Sequence, residues 1–161
     1  MGRVLQREEL KRVVEELRRQ GKKIAFTNGC FDIIHLGHIR YLREAKSKGD
    51  VLIVGLNSDE SVRKIKGDKR PILPEEERAE ILASLNMVDF VVIFNELVPD
   101  ELIKIVKPDV HIKGGDYSAP DELPEAELVR SLGGEVHIAQ AVEGKSTTNI
   151  IETILERFCE K

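Results

Sequence analysis

Apolar positions along the chain recur with two alternating periods. Leu10, Val13, Val14 and Leu17 stand at helical spacing among charged residues, which predicts a helix over about 7–20 that Gly21 ends. Residues 24–26 form a short apolar run and predict the first strand. Residues 36–48 put Ile39, Leu42 and Ala45 on one helical face, with Gly49 as the stop. Residues 51–56 are an unbroken apolar run with a β-branched bias, the mark of a strand covered on both faces. A short helix is predicted over 59–65. Pro74 and the acids Glu75, Glu76 and Glu77 open another, because proline suits a first turn and negative charge suits its dipole. That helix is expected to turn Ile81, Leu82 and Leu85 inward. Strands over 89–94, 109–113 and 135–139 then alternate with helices over 99–106, 121–132 and 146–158. The last helix is expected to bury Ile150, Ile151, Ile154 and Leu155.

Alternation of this kind predicts βαβ units. The expected architecture is a Rossmann-like three-layer α/β/α fold with a five-stranded parallel sheet. One domain spans 1–161, its core at about 22–158 behind the N-terminal helix. Ligands of such folds bind beyond the carboxyl ends of the strands.

Composition narrows the function classes. The chain has 161 residues, 41% of them hydrophobic, which is enough for a real core and too apolar for a disordered tail. Its net charge of −4 argues against non-specific nucleic-acid binding. No apolar run approaches the roughly 20 residues of a membrane span, and the charged N-terminus has no signal-peptide core. Cys30 and Cys159 make no disulfide framework, so reduced thiols in the cytoplasm are expected.

Chemistry concentrates in four segments. The first strand runs into Thr27-Asn28-Gly29-Cys30-Phe31-Asp32-Ile33-Ile34-His35-Leu36-Gly37-His38. Two histidines three apart at a helix start share a face, where free N–H groups and the dipole favour an anion. A pair that only packs or faces solvent is the plain alternative. A zinc site on Cys30, His35 and His38 is another, without an obvious fourth ligand. Neither a dinucleotide fingerprint nor a Walker loop is present. Residues 63–70 carry Arg63, Lys64, Lys66, Lys69 and Arg70 against Asp68 alone. They are either a solvated surface run or a mobile loop that closes over a polyphosphate. Gly144-Lys145-Ser146-Thr147-Thr148-Asn149 reads as a helix cap or as a phosphate pocket. Lys113-Gly114-Gly115-Asp116 is a tight turn or a backbone path past a nucleotide base. His111 and His137 lie within strands and are expected to be satisfied core or edge residues.

Together HLGH at 35–38, GCFD at 29–32, the lysine segment and STT at 146–148 resemble the HxGH-motif nucleotidyltransferases, the cytidylyltransferase-like superfamily. Within it, TNGCFDIIHLGH, LNSDESVRKIKGDKRP, IKGGDY and GKSTTNII are most similar to the adenylyltransferase domains of bacterial ADP-heptose synthases. The resemblance covers about residues 8–158. It implies transfer of AMP from ATP to D-glycero-β-D-manno-heptose 1-phosphate. The products are ADP-heptose, a lipopolysaccharide core precursor, and pyrophosphate. It also implies that Mg²⁺ takes part and that no covalent enzyme intermediate forms.

The resemblance implies catalytic roles for His35, His38, Lys64 and Lys66, with Lys69 as an alternative register. ATP contacts are implied for Asn28, Gly29, Cys30, Phe31 and Gly37, for Lys113, Gly114, Gly115 and Asp116, and for Ser146, Thr147 and Thr148. Arg78 is implied at the acceptor phosphate, and Asp32 either there or holding the HLGH loop. No protein metal ligands are expected. A sugar kinase, often fused to such domains, has no counterpart here, so a stand-alone form is expected, as a homodimer if it assembles. The cytidylyltransferases' arginine before the glycine is missing from Ala141-Val142-Glu143-Gly144, which fits the heptose branch better. An FAD synthetase, another phosphate-acceptor nucleotidyltransferase and a non-catalytic nucleotide-binding module remain the alternatives.

Overall fold

The computed structural model describes residues 1–114 and 123–159. In chain order these form β1 (Arg3–Leu5), α1 (Arg7–Arg19), β2 (Ile24–Gly29), α2 (Leu36–Lys46), β3 (Val51–Asn57), α3 (Asp59–Lys66) and α4 (Glu75–Ala83). There follow β4 (Phe90–Phe94), α5 (Asp100–Val106), β5 (Val110–Lys113), α6 (Ala126–Ser131), β6 (Glu135–Ile138) and α7 (Thr147–Phe158). The strands make one sheet in the order β1-β4-β3-β2-β5-β6, every pairing parallel.

The sheet thus has six strands rather than the expected five. The added one, β1, pairs Arg3, Val4 and Leu5 with Phe90, Val91 and Val92 at an edge. Only Leu5 of its three residues is buried, so it carries no readable alternation.

Strand residues feed two cores in turn. Ile24, Phe26, Val51 and Ile53 pack on the side that holds Leu10 and Val14 of α1 and Leu102, Ile103 and Val106 of α5. Ala25, Leu52, Val54 and Leu56 pack on the other side with Leu42 and Ala45 of α2 and Ala79 and Leu82 of α4. Period-two strands with apolar residues on both faces are what a doubly covered parallel sheet requires.

Two expectations about helix faces are corrected. No residue of α7 is buried, and Ile154, Leu155 and Phe158 are largely exposed. Both sheet faces are already covered by the earlier helices, and periodicity marks an apolar face without saying what meets it. Ile81 of α4 is also exposed, while Leu82 beside it is fully buried. The helix predicted over 121–132 is observed as α6 from Ala126; residues 121 and 122 lie outside the described ones.

From β2 the chain moves to β3 and β4 on one side, then crosses to β5 and β6 on the other. The carboxyl ends of β2 and β5 therefore flank the switch point, where an open parallel sheet leaves a crevice.

Candidate functional site

At that crevice β2 ends later than its apolar run suggested. Thr27, Asn28 and Gly29 continue the ladder with β3, although all three were read as loop. Thr27 and Asn28 are buried polar residues, and polarity inside a strand end is what hid them. Phe31 then adopts φ 45°, a strained conformation for a side chain of its size. The turn sets its ring against His38 at 5.3 Å and Tyr41 at 6.4 Å between centroids. Tyr41 is fixed in turn by Thr27 and by the Ile112 carbonyl, to which it donates at 2.9 Å.

His35 caps α2. The Gly37 N–H donates to His35 Nδ1 at 3.1 Å, and the His35 N–H donates to His38 Nδ1 at 3.3 Å. With both Nδ1 atoms accepting, each neutral ring carries its proton on Nε2. The ring centroids stand 3.8 Å apart. Two imidazolium ions at that distance repel, and both groups titrate below the ordinary histidine value. Burial pushes His38 down to about 4, with the neighbouring His35 adding to the effect. Burial and then Lys145 lower His35. A Cβ on Gly37 would lie 2.8 Å from His35 Cε1, so glycine makes room for the capping ring.

The low His38 value has a stability consequence. Its unfolded-state value lies higher, so between about pH 6.5 and 4 the unfolded chain binds the proton first. Stability contributed by the neutral ring is lost as pH falls through that window. Urea unfolding of the wild type is expected to weaken more steeply there than that of His38→Asn, whose amide keeps an acceptor near the Nδ1 position. Parallel pH profiles would contradict this.

Two connected lobes open at the crevice. The larger, of about 680 Å³, is lined by the β2–α2 loop, Asn57, Lys66, Arg70, Lys113, Glu125 and the start of α7. The smaller, of about 270 Å³, runs past His35, Gly37, His38, Tyr41 and Gly114 to Gln140, Ala141 and Val142. Both α2 and α7 begin at these walls, and Ser146 caps α7 by accepting from the Asn149 N–H at 3.0 Å. Two helix N-termini converging on one space favour an anion there.

Most of the residues singled out from the sequence meet in these lobes. They include Asn28, Gly29, Cys30, Phe31, Asp32, His35, Gly37, His38, Lys66, Lys113, Gly114, Ser146, Thr147 and Thr148. Gly115 and Asp116 lie outside the described residues. Burial pushes the Cys30 thiol up despite four surrounding cations, which keeps it protonated and unreactive.

Three sets of partners bear on the roles expected of these residues. Lys64 and Lys66 sit in the last turn of α3 rather than on a loop, and residues two apart on a helix face different ways. Lys66 lines the cavity, whereas Lys64 pairs with Glu60 at 3.2 Å on the exposed side. Asp32 is 2% exposed and accepts from Arg70 Nε at 2.9 Å and from the Ile72 and Leu73 N–H groups. It therefore anchors the end of the basic segment to the HLGH loop. Arg78 is fully buried and makes four bonds to protein oxygens: the carbonyls of Leu73, Cys30 and Asn57, and Asp59 Oδ1. These bonds join the β2–α2 loop, the end of β3, the segment before α4 and the start of α3.

Among the described residues no three His, Cys, Asp or Glu side chains are grouped to hold a metal. His137 behaves as an edge residue, bonded to Glu44 at 2.5 Å. His111 is buried with Nε2 3.0 Å from Glu125 Oε1, and burial lowers it despite that partner.

Glu125 lines the cavity without having been singled out, and Lys145 lines it from within the segment that reads as a phosphate pocket. Lys145 adjoins the α7 cap after Gly144 at φ 73°, a placement the glycine-cap spacing could have signalled. Glu125 carried no local signal, since its partner His111 is fourteen residues away.

Comparison with known proteins shows the family. Residues 26–153 match the Cytidylyltransferase-like family. The Bifunctional protein HldE of Syntrophotalea carbinolica is 52% identical over 152 residues, covering 94% of this chain and 31% of that protein. The protein of that name from Nitratiruptor sp. is 57% identical over 146 residues, 90% of this chain and 30% of that protein. This chain thus spans about a third of the length of these relatives. Among solved structures, the lipopolysaccharide core biosynthesis protein from Thermoplasma volcanium GSS1 superposes with a TM-score of 0.65 at 33% identity. The match takes in 78% of this chain and all of that one.

Proposed function

The chain belongs to the cytidylyltransferase-like family, and from that premise we propose that it transfers AMP from ATP to D-glycero-β-D-manno-heptose 1-phosphate. The products are ADP-heptose, for lipopolysaccharide core synthesis, and pyrophosphate. The observation that carries this reading is the paired His35 and His38 at the start of α2, facing a two-lobed cavity that α7 also enters. Relatives named HldE at about half identity along nearly the whole chain favour the heptose branch.

An oxygen of the sugar phosphate attacks the α-phosphorus in line. The bond from that phosphorus to the bridging oxygen breaks, and its electron pair leaves with pyrophosphate. The nucleophile is already an anion, so no general base is needed, and catalysis is positioning and charge stabilisation. In this reading the Nε2–H groups of His35 and His38 donate to the transferring phosphoryl group. Lys66, Arg70 and the N-terminus of α7 with Ser146, Thr147 and Thr148 take the departing phosphates. Mg²⁺ would enter with the ATP phosphates and would supply further charge neutralisation there. We place the reaction in the cytoplasm, where its substrate ATP is held, and propose a homodimer as the assembly.

Pyrophosphate release tests the reading, with ATP and CTP crossed against heptose 1-phosphate, FMN and glycerol 3-phosphate. Turnover is expected with ATP and heptose 1-phosphate. Turnover with another pair alone would keep the reaction and overturn the acceptor.

A further inference from the structure

Lys113 ends β5 where the two lobes join, and its side chain lines both. Its ammonium has three donors and, among the described residues, one hydrogen bond, to the Asn28 carbonyl at the long distance of 3.3 Å. Burial lowers its proton affinity, and nearby Lys66 adds repulsion, while Glu125 favours the charged form. The carboxylate of Glu125 is itself held by His111. An under-coordinated cation is a costly thing to keep in a cavity wall unless a ligand completes it. Asn28 gives a second, independent sign. It is 9% exposed, and its side-chain oxygen is buried with no partner among the described residues, an acceptor that calls for a ligand donor such as a nucleotide hydroxyl beside the phosphate. The shared neck of the lobes therefore holds both a cation and an amide with unused hydrogen-bonding capacity.

His35 and His38 form part of the same neck, as they too line both lobes. If nucleotide and acceptor enter from different lobes, they meet there, and the atom they share is the α-phosphorus. We propose that Lys113 is a catalytic residue whose ammonium binds a non-bridging oxygen of the nucleotide α-phosphate at the junction of the two lobes. This rests on the nucleotidyl-transfer reading above and adds a role for a side chain that the motif supplied only as part of a turn. Lys113 gives up no proton in the step. It offsets the charge on the α-phosphoryl group while the acceptor oxygen bonds to phosphorus and pyrophosphate departs.

The test compares AMP with adenosine, which differ by that one phosphate. By calorimetry, Lys113→Met is expected to raise the AMP Kd at least tenfold and to leave the adenosine Kd within twofold. Lys113→Arg is expected to recover part of the AMP affinity. In turnover, Lys113→Met is expected to lose about 100-fold in kcat, with no fall in the thermal unfolding midpoint. Unchanged AMP affinity overturns the proposal, as does an equal loss for AMP and adenosine or a wild type that binds no AMP. These binding arms need no acceptor. A wild type that ignores heptose 1-phosphate therefore counts against the acceptor, and an indifferent Lys113→Met counts against the lysine.

Discussion

Replacement of His38 by alanine is expected to lower kcat/KM for pyrophosphate release by about 10²–10³, the loss typical of one donor aimed at developing charge. The His38 ring is held from three sides. Its Nδ1 takes the His35 N–H at 3.3 Å, its face meets Phe31, and the His35 ring lies 3.8 Å away. Such a ring is pre-oriented, so its Nε2–H costs little to align when charge builds on the phosphoryl group. Alanine removes that donor and leaves the helix-start N–H groups to bind the ground-state phosphates. The effect should therefore fall mainly on kcat, with the KM for ATP changing by a few fold. Steady-state kinetics beside thermal unfolding checks it. A loss under tenfold, or one matched by a collapse of the unfolding midpoint, would contradict the assignment.

Arg78→Met is the change expected to cost most stability, about 3–5 kcal/mol, as when one partner of a buried ionic network is removed. Its guanidinium bonds the Cys30 carbonyl at 2.7 Å, the Asn57 carbonyl at 2.9 Å, the Leu73 carbonyl at 2.9 Å and Asp59 Oδ1 at 2.8 Å. These oxygens belong to the β2–α2 loop, the end of β3, the segment before α4 and the start of α3. Methionine fills the space and leaves all four without that donor. Arg78→Lys keeps the charge but cannot form the planar fork, so it should recover less than half of the loss. Urea unfolding measures both. A loss under about 1 kcal/mol with a raised KM for the sugar phosphate would instead place Arg78 at the acceptor.

Much of this architecture was legible because the central strands are nearly pure apolar runs. Residues 51–56 needed no context to be read as a buried parallel strand, and β3 is buried along its whole length. The placement of the HLGH pair was legible for a similar reason: it depends on spacing along one helix start. What escaped reading depends on partners distant in sequence. β1 is a strand only because Phe90, Val91 and Val92 offer it an edge. Arg78 looks like one more charge on an acidic helix until Cys30 and Asn57 come within reach. Lys64 and Lys66 stand two apart in the motif, and only the helical turn at the end of α3, not a distant partner, sends one to Glu60 and the other to the cavity. The apolar stripe of α7 was read as core because periodicity alone does not record that both sheet faces were already occupied.

The central claim is that the bond broken lies between the α- and β-phosphates of ATP. Incubation with [α-³²P]ATP and heptose 1-phosphate, followed by separation of the products, tests it most directly. The account predicts the label in a sugar nucleotide and unlabelled pyrophosphate in equal amount. Labelled ADP with a heptose bisphosphate would show transfer of the terminal phosphoryl group instead, and would contradict the account.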